Sequence, residues 1–446
     1  MASLQRGKPT TLTFGTGHLL SIRRNQLAFY FEMQARYGDA VPLRLGPYRS
    51  WLLFAPDLVE QVLTRRWQSF VRFEKLMRVI SQWTGDNMLV SEGQEWHERR
   101  RKLLPAFKLA RLPGYGEKAV GNAVAFCDAL DRKADADGSV AFDTDAAMAR
   151  LTLDIALATL FDAPSPGNGE EIERTIQILS ETAFRESTSP LTLPDWLPLP
   201  AKRRKRHAME VMDRLVTGLV RDRLADAGAD RGDLLSILVA EHQRREQAIR
   251  DDAMSLLIAG HETSGALLSW TFYCLAASPE WYGQLTQEIE TVLKGRLPTA
   301  GALTAMPMLR AVIEEVLRLY PPAYALFLRR AVEDVDLGSF TIAKGDLVQI
   351  TPFVMHRDAR WFAHPSRFDP SRFLTERAWP RYAYLPFGSG PRVCIGQSFG
   401  LMEACLIVAT ILQRWRPSAA RGPVVPEARF SLRPRGGLPM TWEKNG

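Results

Sequence analysis

Over most of the chain, apolar residues recur every three to four positions, the spacing that gathers them on one face of an α-helix. The first such run lies between Asn25 and Tyr37. The stretch VPLRLGPYRSWLLFAP then alternates about the Gly46-Pro47 turn and predicts two strands, placing a small sheet near the N-terminus. Helical spacing dominates again from Asp57 to about Phe161. It is broken between Phe70 and Glu92 by a mixed stretch with Met77, Ile80, Trp83 and Gly85, which reads as a loop or short-helix region. Between Ser187 and Pro200 the run STSPLTLPDWLPLP carries too many prolines for continuous helix. It reads as a connection within a domain, because helical spacing resumes without a polar low-complexity spacer. The cluster Lys202 to His207 reads as a solvated helix start rather than a nucleic-acid patch. Further helices are predicted over Gln247 to Ala277, Pro279 to Leu293 and Pro307 to Tyr320. Beyond Pro321-Pro322 the chain alternates and turns like short strands, Arg357 to Pro386 is irregular, and SLRPRGGLPMTW is strand-like again. The pattern predicts a mainly α protein with a small β-sheet region, organised as one domain over 1–446 without internal repeats.

Composition adds boundaries. A hydrophobic share of 46% and a charged share of 24% are those of a globular protein with a sizeable core, and disorder is not expected. The net charge of +7 and the pI of about 9.3 admit an acidic partner, nucleic acid or an anionic membrane surface and imply none of them. In MASLQRGKPTTLTFGTGHLLSIRRN the apolar residues come in short groups broken by Gly, Thr, His and Arg, so neither a signal peptide nor a transmembrane anchor is predicted. Four scattered cysteines, Cys127, Cys274, Cys394 and Cys405, do not make a disulfide framework, and a cytoplasmic location is expected.

Candidate chemistry concentrates at FGSGPRVCIG, Phe387 to Gly396, where glycines and a proline surround one cysteine just ahead of a helical pattern. The other cysteines sit in apolar helical runs, as inert buried thiols do. Around Cys394 a Gly-rich backbone and a helix start both favour a thiolate. A lone loop cysteine is more often structural, and a nucleophile would require a neighbouring base. No second cysteine or histidine stands at zinc spacing, so the better metal reading is a single thiolate ligand, which points to haem.

FGSGPRVCIG resembles the haem-binding loop of the cytochrome P450 family, with Phe387, Gly390, Arg392, Cys394 and Gly396 at its pattern positions. The resemblance implies a triangular prism fold, haem b as cofactor and Cys394 as its axial metal ligand. Glu315 and Arg318 in EEVLRLYPP resemble the family's Glu-x-x-Arg pair and Arg372 of FDPSRF its third member, implying a buried structural network. AGHETS, Ala259 to Ser264, resembles the oxygen-binding groove, with Glu262 and Thr263 as catalytic acid and alcohol; Ser264 departs from a frequent Thr. Read without the family, the same Thr could be a back-bonded helix residue. Cofactor contacts are implied at Trp96, Arg100, Ala259, Arg329, Phe387, Arg392 and Gly396, the three arginines meeting the haem carboxylates. His97 and His356 read as ordinary polar residues.

The implied activity is that of a monooxygenase. It activates O2 with electrons from NAD(P)H, delivered by a separate ferredoxin or flavodoxin and its reductase, since the chain ends soon after Cys394. The expected substrate is an apolar lipid, terpene, steroid or polyketide-like molecule, hydroxylated or epoxidised in a pocket lined by Met77 to Leu89, Ala183 to Leu199, Ala323 to Leu328 and Ser431 to Pro434. The rivals are a peroxide-driven peroxygenase and a non-catalytic haem sensor, the latter testable by substrate-dependent NADPH consumption. In RRRK, Arg100 should turn inward, leaving Arg99, Arg101 and Lys102 for an acidic electron donor.

Overall fold

The computed structural model describes residues 16–164, 167–189, 192–226, 231–420 and 422–445. Residues 1–15, most of the N-terminal segment read above, and Pro190-Leu191 of the proline-rich run lie outside them. The N-terminal third runs α1 (Thr16–Tyr37), β1 (Ala40–Leu45), β2 (Tyr48–Leu53), α2 (Pro56–Glu60), β3 (Phe70–Arg72), α3 (Glu74–Thr84), α4 (Gly93–Leu103), α5 (Leu112–Lys133), β4 (Ser139–Asp143) and α6 (Thr144–Phe161). The middle is helical: α7 (Gly169–Thr188), α8 (Pro200–Ala225), α9 (Leu234–Glu241), α10 (Glu246–Ala276), α11 (Pro279–Leu293) and α12 (Pro307–Leu319). Then follow β5 (Arg329–Ala331), β6 (Val335–Asp336), β7 (Thr341–Ile342), β8 (Leu347–Ile350), α13 (Pro352–Met355), α14 (Gln397–Leu412), β9 (Trp415–Ala420), β10 (Pro426–Ala428), β11 (Leu432–Pro434) and β12 (Pro439–Lys444). Helix dominates, as the apolar spacing predicted. No helix among the described residues is long and apolar enough to cross a membrane.

Local chemistry explains several boundaries. Pro200, Pro279 and Pro307 open α8, α11 and α12, where a missing N–H is harmless and the fixed φ suits the first turn. Asp143 caps α6 by accepting from the N–H groups of Asp145 and Ala146. The mixed stretch after Phe70 resolves into β3 and the strongly amphipathic α3, and β4, β9 and β10 were not predicted at all.

The main sheet has the order β1-β2-β8-β5-β3, with β2 and β8 parallel and the other pairs antiparallel. In the last pair Arg72 stands directly opposite Arg329. A second sheet, β4-β12-β9, and the pairs β10-β11 and β6-β7 complete the strands. Helix α10 is buried along nearly its whole length and packs on α6, α8, α12 and α14, so it shows no single apolar stripe and several of its buried polar residues find partners on those neighbours. One core, including Trp270, Trp415 and Trp442, joins α10, α12 and α14 to the second sheet; another fills the space between α1 and the main sheet.

The cluster at the start of α8 differs from its expected form. Lys202 and Lys205 are buried, not solvated. Lys202 Nζ lies 2.5 Å from Glu186 Oε1 and 2.6 Å from Asp195 Oδ1, and Lys205 Nζ lies 2.8 and 2.7 Å from the other oxygens of the same acids. Two cations and two carboxylates thus tie the proline-rich connection to α7 and α8. Arg203, Arg204 and His207 do face solvent.

Candidate active site

The main sheet, α1, α3, the end of α7, the middle of α10 and the Cys394 loop surround a cavity of about 620 Å³. Its walls are largely aliphatic and aromatic, with Ile80, Trp83, Phe184, Leu256, Leu326 and Phe327 among them. Three of the four segments predicted to line it do so. The fourth, Ser431 to Pro434, does not; Arg429 and Phe430 take its place, while Ser431 and Arg433 turn to Glu262. Leu19, Ile22 and Tyr30 of α1 also line the cavity, a contribution invisible in a helix that resembles any other.

The Cys394 loop is shaped by its glycines. Gly388 and Gly390 hold φ of 71° and 73°, and a Cβ on Gly390 would stand 1.9 Å from the carbonyl oxygen of Leu63. The chain turns tightly there, so that the Cys394 N–H donates to Phe387 O at 3.0 Å and the Val393 N–H to Gly390 O at 3.1 Å. Cys394 is exposed to the cavity it lines, whereas Cys127, Cys274 and Cys405 are buried within helices. Burial holds the Cys394 thiol above its ordinary range, against the pull of the Gly396 N–H and the Arg100 cation. A metal ion bound at this sulfur would reverse that balance, because a coordinating thiol is deprotonated outright. Gly396 caps α14 facing Phe107, and Phe387 lines the cavity.

Cations converge on one side. Arg72, Arg100, Arg329 and Arg392 all line the cavity, with the Arg392 guanidinium 4.3 Å from the Trp96 ring and Arg100 5.9 Å from it. Among the described residues, Glu92 is the one carboxylate that ion-pairs with this group, through Arg392. Arg329 is buried with its Nε unpartnered. Such a constellation fits a ligand carrying carboxylates of its own, which haem is. Trp96, Arg100, Arg329 and Arg392 thus line one cavity, and Arg72 joins them.

In α10, Ala259 and Thr263 face the cavity one turn apart, and Thr263 Oγ1 donates to Ala259 O at 2.8 Å. Back-bonding and cavity lining therefore coexist. Glu262 does not accompany them. Its carboxylate accepts from Ser431 at 2.8 Å and lies 3.7 Å from Arg433, on a different side of the helix. Adjacent helical residues diverge by about 100°. His261 is buried beside Glu173 and Thr152.

Two groups that the sequence did not assign to the site support it: His356, read as an ordinary polar residue, and Glu403. His356 is buried, and burial with the Arg318 and Arg357 cations pushes it down to about 3. It stays neutral and accepts from the Leu385 N–H at 2.9 Å, just ahead of the Cys394 loop. Glu403 of α14 accepts from Ser264 at 2.6 Å, and burial pushes its carboxyl from 4.5 up to about 7. The folded protein thus keeps this proton to higher pH than the unfolded chain, so stability is complete below the ordinary carboxyl range and falls as pH rises through about 7. Glu403→Gln is expected to remove that decline. In urea unfolding, its stability relative to wild type should rise between about pH 5 and pH 8; a constant difference would show that the carboxyl titrates normally.

The Glu315 and Arg318 pair is fully buried, with Arg318 Nε 2.7 Å and Nη2 2.8 Å from the carboxylate. The remaining Arg318 donors reach the carbonyls of His356, Pro365 and Arg367, and Arg372 Nε lies 3.4 Å from Glu315. This network holds α12 against the irregular segment that leads into the Cys394 loop.

Comparison with known proteins agrees with this geometry. Cyclooctatin synthase of Streptomyces melanosporofaciens is 34% identical over 433 residues, covering 93% of this chain and 91% of its own. Pentalenene oxygenase of Streptomyces avermitilis is 31% identical over 412 residues (90% and 88%), and cytochrome P450 4V2 of Mus musculus is 29% identical over 434 (90% and 82%). The Cytochrome P450 family model matches residues 7–437, and the chain belongs to that family of haem-thiolate monooxygenases.

Proposed function

We propose that this monooxygenase hydroxylates or epoxidises a terpene-like hydrocarbon, with Cys394 as the thiolate ligand of haem iron. The observation that carries the reading is the meeting of Cys394, Ala259 and Thr263 on one largely apolar cavity of about 620 Å³. A cavity of that size and lining suits a compact polycyclic molecule held by shape rather than by hydrogen bonds. The names of the two Streptomyces relatives point the same way. Haem bound there supplies O2 activation, one oxygen atom entering a C–H or C=C bond and the other leaving as water. Arg100, Arg329, Arg392 and the Trp96 N–H would hold its carboxylates, with Ala259, Phe387 and Gly396 as further contacts.

Thr263 handles a proton in this scheme. Its hydroxyl lines the cavity and can pass a proton inward while the apolar walls exclude bulk water. Glu262 acts from behind, anchoring α10 to Ser431 and Arg433 rather than touching the reacting atoms. Electrons reach the site from NAD(P)H through a reductase and a ferredoxin or flavodoxin. Arg101 is exposed, as are Leu104 and Leu109 further along the chain, a basic and apolar character suited to an acidic donor, whereas Arg99 is tied to Glu95 and Asp86. We read the chain as one cytoplasmic haem domain.

The test is turnover of a panel of cyclic terpene hydrocarbons with surrogate redox partners, following oxygenated product per NADPH. Thr263→Ala should bind haem normally and lower that ratio by about tenfold or more, diverting electrons to peroxide. Unchanged coupling would remove the proton-handling role, and absence of any oxygenated terpene would remove the substrate class.

A further inference from the structure

A second cavity, of about 590 Å³, lies against the first. Tyr48, Phe73 and Lys75 line both, and the two aromatic rings meet edge to face at 5.1 Å. The other charged groups on its wall are Glu74 and Arg78 of α3 and Arg330 of β5. Neither Cys394 nor any of the four arginines gathered around it lines this second space, so it has no part in holding the cofactor.

Three cations face one carboxylate here, and that carboxylate is committed. Arg330 Nε lies 2.9 and 3.0 Å from the two oxygens of Glu74, and this hydrogen bonding holds the Glu74 carboxyl below its usual range. Among the described residues neither Lys75 nor Arg78 forms an ion pair. Arg78 is exposed, but Lys75 is half-buried and donates to the Ser189 carbonyl at the end of α7. Desolvation without a compensating anion holds its ammonium below the ordinary lysine range. A cation so placed is unfavourable until a negative group is brought to it.

We propose that the substrate carries a carboxylate, which reaches past Tyr48 and Phe73 to Lys75 while its apolar skeleton stays held by shape in the Cys394 cavity. This rests on the terpene-like skeleton proposed above and narrows it to a terpenoid acid. Lys75 is the one cation on the wall that both cavities share, and Glu74 already occupies Arg330. One negative charge is therefore matched, rather than the several of a diphosphate. The acidic end is held away from Cys394, which directs oxidation to the far part of the skeleton.

The experiment measures binding of abietic acid and of its methyl ester to the haem-loaded protein by the shift of the Soret band, at about pH 7.5 where the acid is ionised. The wild type should bind the acid about tenfold more tightly than the ester, the worth of one charge-assisted hydrogen bond on a partly exposed cation. Lys75→Gln should bring that ratio close to one, and Lys75→Arg should keep most of it. Where Lys75→Gln does not accumulate, Arg78→Glu at its exposed position carries the comparison and should also lower the ratio. If Lys75 only supports the Ser189 carbonyl, Lys75→Gln changes both affinities together and the ratio stands, which overturns the proposal. A ratio unmoved by Arg78→Glu counts the same way. Equal binding of acid and ester by the wild type overturns the proposal and leaves the terpene-like skeleton intact. Failure of the acid, the ester and the parent hydrocarbon abietadiene alike to shift the band would defeat that skeleton as well.

Discussion

Arg318→Ala is expected to abolish accumulation of folded, haem-loaded protein. The substitution strands the fully buried Glu315 carboxylate and orphans the carbonyls of His356, Pro365 and Arg367, which Arg318 now satisfies. Removing one partner of a buried ion pair costs about 3–5 kcal/mol, a large share of the ~5–15 kcal/mol that separates native from unfolded chains. Arg372 does not compensate, because it approaches Glu315 at 3.4 Å and is not fully enclosed. The measurement is the ratio of haem absorbance to protein in the soluble fraction. Full haem loading would show that the network is dispensable.

Gly390→Ala should damage the site more selectively. A positive φ costs a non-glycine residue about 1–3 kcal/mol, and the added Cβ would collide with Leu63 O, forcing the backbone to move. The shift falls four residues before Cys394, on the turn whose Gly390 carbonyl receives the Val393 N–H. Haem content should drop severely while far-UV circular dichroism remains helical. Gly388→Ala is the control: its φ is equally positive, but the nearest atom, on Leu326, is 4.0 Å away. It should retain more haem than Gly390→Ala. Equal haem content in the two variants would mean that close packing on Leu63 does not hold the loop.

What the sequence discloses and what it hides divide along physical lines. Elements set by local period were legible: the hairpin at Gly46-Pro47, the long α10 and the proline-headed α11 and α12. So were short-range patterns such as FGSGPRVCIG and the Glu315 and Arg318 spacing. Partners supplied by distant segments were not. Lys202 and Lys205 belong to a basic run that looks solvated, and only the fold brings Glu186 and Asp195 to them. Arg72 acquires meaning through β3-β5 pairing, a ladder too short to announce itself. Glu403 sits in an apolar helical run, and only tertiary packing sets Ser264 against it. The direction of Glu262 could have been inferred, since a residue adjacent to Thr263 on a helix cannot share its face.

The assignment of Cys394 as the iron's thiolate ligand underlies the whole account. Its most direct test is the absorption spectrum of the reduced protein under carbon monoxide. The wild type should show the long-wavelength Soret band of thiolate ligation, and Cys394→His should bind haem without that band and without monooxygenase activity. A Cys394→His protein that keeps both would contradict the account.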